Sequence, residues 1–250
     1  MQAISFRQRI IRSVRTVGGV AAIVAFNRLL RKLSYLSHYA QFVLQWGVRP
    51  VSGWFDHYLD LHYLWRKTRT PLSCERGILG LLAIRQGANV LELCCGDGFN
   101  TFHFYSIRAG KILAMDLDRD AIASARKNFA VENIEFVAGD IRRDMPNEQF
   151  DNIVWDASLE YFTADEIGKL MAEVKARLRP GGILSGQAII QDVQSEEHSH
   201  IFRSTEDLLR FFRPHFQHVR LIETRYPSRH NVYFYVSDAM LPFLPQTAAG

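Results

Sequence analysis

The chain contains 250 residues, of which 48% are hydrophobic and 22% are charged, and this length allows one α/β domain with a sizeable core plus an extension. It contains three cysteines, and two of them, Cys94 and Cys95, are adjacent. This arrangement excludes a disulfide framework and favours a reducing compartment such as the cytoplasm. No Cys/His spacing resembles a zinc site, so no metal is predicted.

Charge is distributed unevenly along the chain, although the formal net charge is only +4. Residues 1–55 contain eight basic residues and no acidic one, whereas the rest of the chain contains 22 basic and 26 acidic residues. The later part is therefore mildly acidic, which argues against a nucleic-acid partner there.

Residues 1–50 are predicted to form a basic, amphipathic helical extension. Its apolar residues recur at helical spacing, at Ile10, Val14, Val17, Ala21 and Val24. The apolar run over residues 17–26 is too short to span a bilayer. Three interpretations remain open, namely a cap or homodimer contact, a helix peripheral to a membrane surface, and a cleaved targeting signal.

Residues 51–85 are predicted to form an aromatic-rich helical lead-in, or a lid, before a main domain over residues 86–240 and a tail over 241–250. The aromatic side chains in question are Trp54, Phe55, Tyr58, Tyr63 and Trp65. Such a cluster either covers an apolar substrate or docks a helix onto a core. After Pro71, a helix is expected over residues 72–84.

From residue 88 onward, segments with strand and helix patterns alternate. Strands are predicted at 89–94, 111–116, 134–138, 150–156 and 182–188, and helices near 99–108, 119–130, 164–178 and 204–213. This alternation predicts a parallel sheet with helices on both faces. Two further strands, 216–224 and 232–237, are predicted as a terminal antiparallel pair joined through residues 226–231.

The turn after the first strand has the features of a nucleotide-binding turn. Gly96 and Gly98 allow close approach of the backbone to a ligand, and the following helix offers free amide groups. The second strand ends at Asp116, a carboxylate suited to ribose hydroxyls. A dinucleotide fingerprint would need a third glycine where Thr101 stands, so that class of cofactor is disfavoured.

These segments resemble the class I S-adenosylmethionine-dependent methyltransferases over roughly residues 75–238. The first motif of that family, an acidic residue followed by a glycine-rich loop, reads Glu92-Leu93-Cys94-Cys95-Gly96-Asp97-Gly98, with Cys94 in the place of the first glycine. The later motifs resemble residues 114–118, 137–141, 150–157 and 178–184. The resemblance implies a Rossmann-like three-layer sandwich with a seven-stranded, mostly parallel sheet, an antiparallel C-terminal strand and an N-terminal helical extension.

The same resemblance implies which residues bind S-adenosylmethionine. Asp116 would accept both ribose hydroxyls, while nearby Asp118 is better suited to cap a helix. Asp140 would accept the adenine amino group, and the backbone amide of Ile141 would meet a ring nitrogen. The full predicted set is Glu92, Cys94, Gly96, Gly98, Phe99, Asp116, Leu117, Asp140, Ile141 and Asp156.

The predicted reaction is methyl transfer by in-line displacement to an oxygen or nitrogen nucleophile of a small or medium-sized molecule. Candidates for proton transfer are Glu160, which follows the fourth strand, and His198 and His200, which follow the fifth. The alternative for each is an ordinary structural or exposed polar residue. Two other functions remain open, namely a cofactor-binding module without turnover and methylation of a membrane-associated lipid or protein.

Overall fold

The computed structural model describes residues 72–191, 198–227 and 229–241, together with helical positions 22, 25–26, 28–37, 39–40 and 43–44. The chain divides into two compact units, Met1–Arg69 and Thr70–Gly250. Outside the described residues lie most of the tail, the aromatic cluster of the predicted segment 51–85, and the apolar positions predicted for the N-terminal helix at Ile10, Val14, Val17, Ala21 and Val24. None of the helices formed by the described residues is long and apolar enough to cross a membrane.

The second unit alternates helices and strands. In chain order its described elements are α1 (Leu72–Ala83), β1 (Asn89–Leu93), α2 (Phe99–His103), a 3-10 turn (Tyr105–Ile107), β2 (Lys111–Asp116), α3 (Arg119–Asn128), β3 (Ile134–Ala138), β4 (Phe150–Asp156), a 3-10 turn (Leu159–Tyr161), α4 (Ala164–Arg177), β5 (Leu178–Ile190), α5 (Thr205–Phe212), β6 (His218–Tyr226) and β7 (Arg229–Ser237).

The strands of this part of the chain form one sheet in the order β3-β2-β1-β4-β5-β7-β6. The first five strands run parallel, and β7 lies antiparallel between β5 and β6. The strand order reverses between β1 and β4, and in open α/β sheets a ligand binds beyond the carboxyl ends of the strands at such a point. This topology confirms the predicted Rossmann-like sheet with an antiparallel C-terminal strand.

Alternating side chains of the central strands divide the core between the two faces of the sheet. Leu91 and Trp155 belong to one buried apolar cluster, whereas Val90 and Val154 belong to the other. Because adjacent residues of a strand point to opposite faces, helices cover both sides of β1 and β4. The switch point between β1 and β4 therefore has a buried apolar cluster on each face of the sheet.

Local capping explains where two of the helices begin. Asp118 precedes α3 and accepts hydrogen bonds from the amides of Asp120 and Ala121, which confirms its predicted role as an N-cap. Thr163 and Glu166 form a reciprocal capping box at the start of α4. These caps fix the chain direction as it leaves β2 and β4.

Three predicted boundaries were wrong. The helix predicted over 99–108 breaks after His103 into a 3-10 turn, and β5 begins at Leu178, with a register shift against β4 before Asn152. The last connection is also shorter than predicted, because Tyr226 pairs with Arg229. Its polar residues resemble a loop, but Asn231 is fully buried and accepts a hydrogen bond from Arg229 within the sheet.

Candidate cofactor and acceptor site

The turn after β1 contains a run of left-handed backbone conformations. Cys94, Gly96 and Gly98 have φ angles of 59°, 57° and 76°. A Cβ atom on Gly98 would lie 2.6 Å from the ring of Phe136, so α2 begins close to β3 only because this position lacks a side chain. The turn is therefore packed tightly at Gly98, while Gly96 is half-buried at the carboxyl edge of the sheet, beside the switch point.

Cys94 occupies the conformation that explains the preference for glycine at its position. A residue with an unbranched side chain tolerates a positive φ at modest cost, whereas a β-branched residue does not. We therefore expect Cys94→Gly to change the free energy of unfolding by less than about 1 kcal/mol, and Cys94→Val to lower it by at least about 2 kcal/mol. Urea denaturation of both variants measures this. Equal stability of the two would contradict it.

The carboxylate of Asp116 is joined to the turn. Its Oδ2 accepts the Gly96 amide at 2.8 Å, and its Oδ1 accepts the Asp118 amide at 2.8 Å. Each oxygen retains a further lone pair for a ligand. The next residue, Leu117, exposes 64% of its surface. Phe99 lies across the turn with its ring partly exposed.

Asp140 lies after β3 with a nearly buried side chain. The Arg142 guanidinium donates to both of its oxygens, with Nε 2.9 Å from Oδ1, and continues to Glu166 at 3.0 Å. These hydrogen bonds from Arg142 lower the pKa of Asp140, so it stays ionised at neutral pH. The side chain of Ile141 is buried in the core beside a cavity of about 380 Å³.

Two acidic side chains are buried at the ends of β1 and β4. Glu92 accepts the Thr101 hydroxyl at 2.6 Å, and Asp156 accepts the Tyr105 hydroxyl through Oδ2. Burial raises the pKa of Glu92 to about 8 and that of Asp156 to about 6. Oδ1 of Asp156 is buried and, among the described residues, has no hydrogen-bond partner, so a donor from a ligand would satisfy it.

Sequence reasoning missed the partners of these two acids. Thr101 and Tyr105 are fully buried and stand four residues apart, one in α2 and the other in the 3-10 turn that follows, and each donates its hydroxyl to one of the two acids. Two residues with hydroxyl groups at this spacing, directly after a ligand-binding turn, were the signal that could have found them. The positive charge of Arg76 in α1 also acts on Asp156, lowering its pKa against the effect of burial.

Glu160 connects the 3-10 turn after β4 to the end of β5 and to the loop at residues 199–200, on the side of the sheet where the acceptor is predicted. It is 1% exposed, and its Oε1 accepts the amide of Ile189 at the end of β5 at 2.7 Å. Its carbonyl oxygen accepts the amides of Ser199 and His200 at 2.8 and 3.1 Å. Burial raises the pKa of Glu160. This geometry favours a role in positioning the loop over direct contact with an acceptor.

The two predicted histidines follow β5 but face different neighbours. His198 Nδ1 lies 2.6 Å from Nε2 of Gln191, and its ring packs edge-on against Tyr161. His200 packs against Phe202, and burial lowers its pKa. The structure therefore brings both histidines to the segment that contains Glu160, His198 through its ring against Tyr161 and His200 through its amide on the Glu160 carbonyl.

A partly buried carboxylate, Glu75, connects α1 to the last two strands. It accepts the Thr224 and Tyr233 hydroxyls at 2.6 and 2.7 Å, the Tyr226 hydroxyl, and the Asn231 amide at 3.4 Å. Burial raises the pKa of Glu75, but these donors outweigh that effect and lower it overall. No local pattern in α1 indicated this role, because all four partners lie far away in the sequence, in β6 and β7.

Comparisons with known proteins agree with this architecture. A family model described as a methyltransferase domain matches residues 90–182. The ribosomal protein L11 methyltransferase of Vibrio cholerae is 26% identical over 122 residues, and that of Neisseria gonorrhoeae is 31% identical over 129 residues. These matches cover 49% and 50% of this chain, and the chain spans only 40% of the length of each relative.

Solved structures share the fold at lower identity. The N-methyltransferase NodS from Bradyrhizobium japonicum aligns with a TM-score of 0.58 at 20% identity, covering 67% of this chain and 96% of that one. A complex of DhpI with SAH aligns with a TM-score of 0.54 at 20% identity, covering 82% and 95%. At this identity, the likeness establishes the fold alone.

Proposed function

We propose that this chain, whose residues 90–182 match a methyltransferase domain, binds S-adenosylmethionine and transfers the methyl group to an acceptor molecule. One observation supports the proposal, namely that three features lie together at the switch point. They are a glycine turn, a strand-end carboxylate that is hydrogen-bonded to this turn, and a buried acid with an unsatisfied oxygen. A cationic adenosyl cofactor matches each of these features chemically.

The nucleoside part of the cofactor would lie along the ends of β2 and β3. Asp116 accepts the two ribose hydroxyls with the lone pairs that its backbone bonds leave available. Leu117 covers one face of the adenine, which accounts for its exposure. Asp140 would accept the adenine amino group in exchange for one of its hydrogen bonds from Arg142, since both of its oxygens are already occupied. The Ile141 amide would meet a ring nitrogen.

The methionine part would lie over the turn and the ends of β1 and β4. No described residue places an atom within 4 Å of the position that a Cβ would take at Gly96, so a ligand can approach the backbone closely there. Asp156 Oδ1 accepts a hydrogen bond from the ammonium group, and Glu92 adds a second acidic group beneath the turn. Two acids that are costly to bury alone are stabilised by a cationic ligand.

When bound, S-adenosylmethionine supplies an electrophilic methyl group. The chain's own residues orient the acceptor and exclude water, as in other displacements in which positioning is the main contribution. His198 takes the proton of an O–H or N–H nucleophile, and Glu160 holds the loop that carries this histidine. The acceptor is a small or medium-sized molecule that enters beside the end of β5.

Calorimetric titration with S-adenosylmethionine tests the proposal. Asp116→Ala should weaken binding about 100-fold, because it removes two hydrogen bonds to a charged acceptor at roughly 1.5 kcal/mol or more each. Asp118→Asn is the matched control, since asparagine caps a helix as well as aspartate does. Absence of binding to the wild type at millimolar ligand would refute the proposal. Binding without any methyl transfer into a metabolite extract would indicate a module without turnover.

The relatives named as ribosomal protein L11 methyltransferases favour a second candidate, in which the acceptor is a protein. That similarity covers about half of this chain, so it supports the cofactor-binding part more than the acceptor. Labelled methyl transfer into a cell extract, divided by filtration into protein and small-molecule fractions, distinguishes the two. Label confined to the protein fraction would replace the small-molecule acceptor.

A further inference from the structure

An exposed apolar stripe lies on the helix of the first unit. The described residues between 22 and 44 are all helical. Along them, large apolar side chains that are 45–59% exposed occur at the spacing of one helix face, at Phe26, Leu29, Leu30, Leu33 and Leu36. At about 100° per residue, these side chains occupy an arc of about 120°. Such a continuous apolar face on the surface of a protein marks an interaction site.

The opposite face of this helix is basic. Arg28 and Arg31 are exposed and lie about 140–160° around the helix from Leu33, with Tyr35 between them. Lys32 is also exposed and lies at the edge of the stripe, about 40° from Leu36. The sequence contains no acidic residue anywhere in residues 1–55. Apolar and cationic groups are therefore both present, without the carboxylates that normally accompany basic residues on a protein surface.

We propose that this helix lies flat on an anionic lipid surface, with the apolar stripe among the acyl chains and the basic residues at the level of the headgroups. This combination of one apolar face, one basic face and no acid is that of interfacial helices. A second copy of the chain fits less well, since its residues 1–55 would add eight more basic residues and no acidic partner. The inference goes beyond the proposed function and does not depend on it.

Flotation of the full chain with vesicles tests the proposal. The protein should float with vesicles of about 30% phosphatidylglycerol in phosphatidylcholine, and less with phosphatidylcholine alone. Replacing Arg28, Arg31 and Lys32 with glutamine should lower partitioning at least about tenfold, because each cation contributes attraction to an anionic surface. Raising the salt concentration should weaken binding in the same direction.

Matched variants separate local from general effects. Arg210→Gln, Arg213→Gln and Arg225→Gln together remove three exposed charges from the second unit, and this triple variant should float like the wild type. Leu30→Gln with Leu33→Gln should abolish flotation, whereas Ile78→Gln with Ile107→Gln, at similarly exposed positions, should not.

Three outcomes would overturn the proposal. They are equal flotation with neutral and anionic vesicles, equal losses in the two triple variants, and retained flotation in the Leu30/Leu33 double variant. A lipid-free dimer that the double variant converts to a monomer, measured by light scattering, would assign the stripe to a second copy instead. Binding of S-adenosylmethionine should remain unchanged in every variant.

Discussion

Gly186→Ala is expected to lower the free energy of unfolding by at least about 3 kcal/mol, a large part of the total stability of a domain. Gly186 lies in β5 between Trp155 of β4 and Phe234 of β7. A Cβ atom there would lie 2.0 Å from the Trp155 carbonyl oxygen and 2.5 Å from the Phe234 ring. Because strands on both sides hold β5, its backbone cannot move away from the added methyl group.

Gly168→Ala provides the control for this substitution. Gly168 lies in α4, and none of the described residues places an atom within 4 Å of the position that a Cβ would take there, so alanine fits without strain. Alanine should raise the free energy of unfolding by about 0.5–1 kcal/mol, since glycine is a poor helix former. Urea denaturation measures both variants. Similar midpoints for the two would contradict the close packing at Gly186.

Binding of S-adenosylmethionine at pH 7 is expected to release close to one proton. Glu92, with a pKa of about 8, is mostly protonated before binding. A cation placed beside Glu92 and Asp156 favours their ionised forms and so lowers both pKa values. Calorimetry in buffers with different ionisation enthalpies counts the protons. Glu92→Gln should reduce the count nearly to zero, while Glu135→Gln, at an exposed position, should leave it unchanged.

The same shift in Glu92 makes stability depend on pH. Between its usual pKa of 4.5 and its folded value of about 8, the folded protein holds a proton that the unfolded chain has released. The free energy of unfolding therefore falls as pH rises through this window, by about 1.4 kcal/mol per pH unit. From about pH 6 to 8, wild type should lose about 2–3 kcal/mol relative to Glu92→Gln. Parallel pH profiles would show that Glu92 ionises normally.

The parts of the site that depend on short-range patterns were predictable from the sequence. Buried strands, the glycine turn and the acids at strand ends are encoded within a few residues of one another, whereas the order of the strands depends on pairing between distant segments. Asp116 could be placed in this way because a strand end and a carboxylate coincide there. The left-handed φ of Cys94 is signalled only by the motif, in which this position is a glycine, because cysteine itself carries no preference for that conformation.

The parts that depend on contacts between distant segments were not predictable. Glu160 has the same local setting whether it faces a substrate or accepts the amide of Ile189, and only the packed loop distinguishes these roles. In the sequence, the polar residues Arg229 and Asn231 resemble a turn. In the fold, Glu75, which is far away in the chain, accepts the side-chain amide of Asn231. A polar side chain is buried where hydrogen-bond partners satisfy it, and the periodicity of the sequence does not show which residues those partners are.

The insertion of β7 between β5 and β6 has a consequence for the order in which the protein forms during synthesis. Strands β1 to β4, with the glycine turn, can assemble as soon as they leave the ribosome, because each pairs with a neighbour already made. In the described sheet, β6 emerges earlier than β7 yet has β7 as its one neighbour. That wait is short, because β6 and β7 are joined directly as an antiparallel hairpin. The edge of β5 stays open for longer, since β5 ends at Ile190 and its partner β7 begins only at Arg229. This interval of translation is therefore the one that exposes an unpaired strand edge for longest.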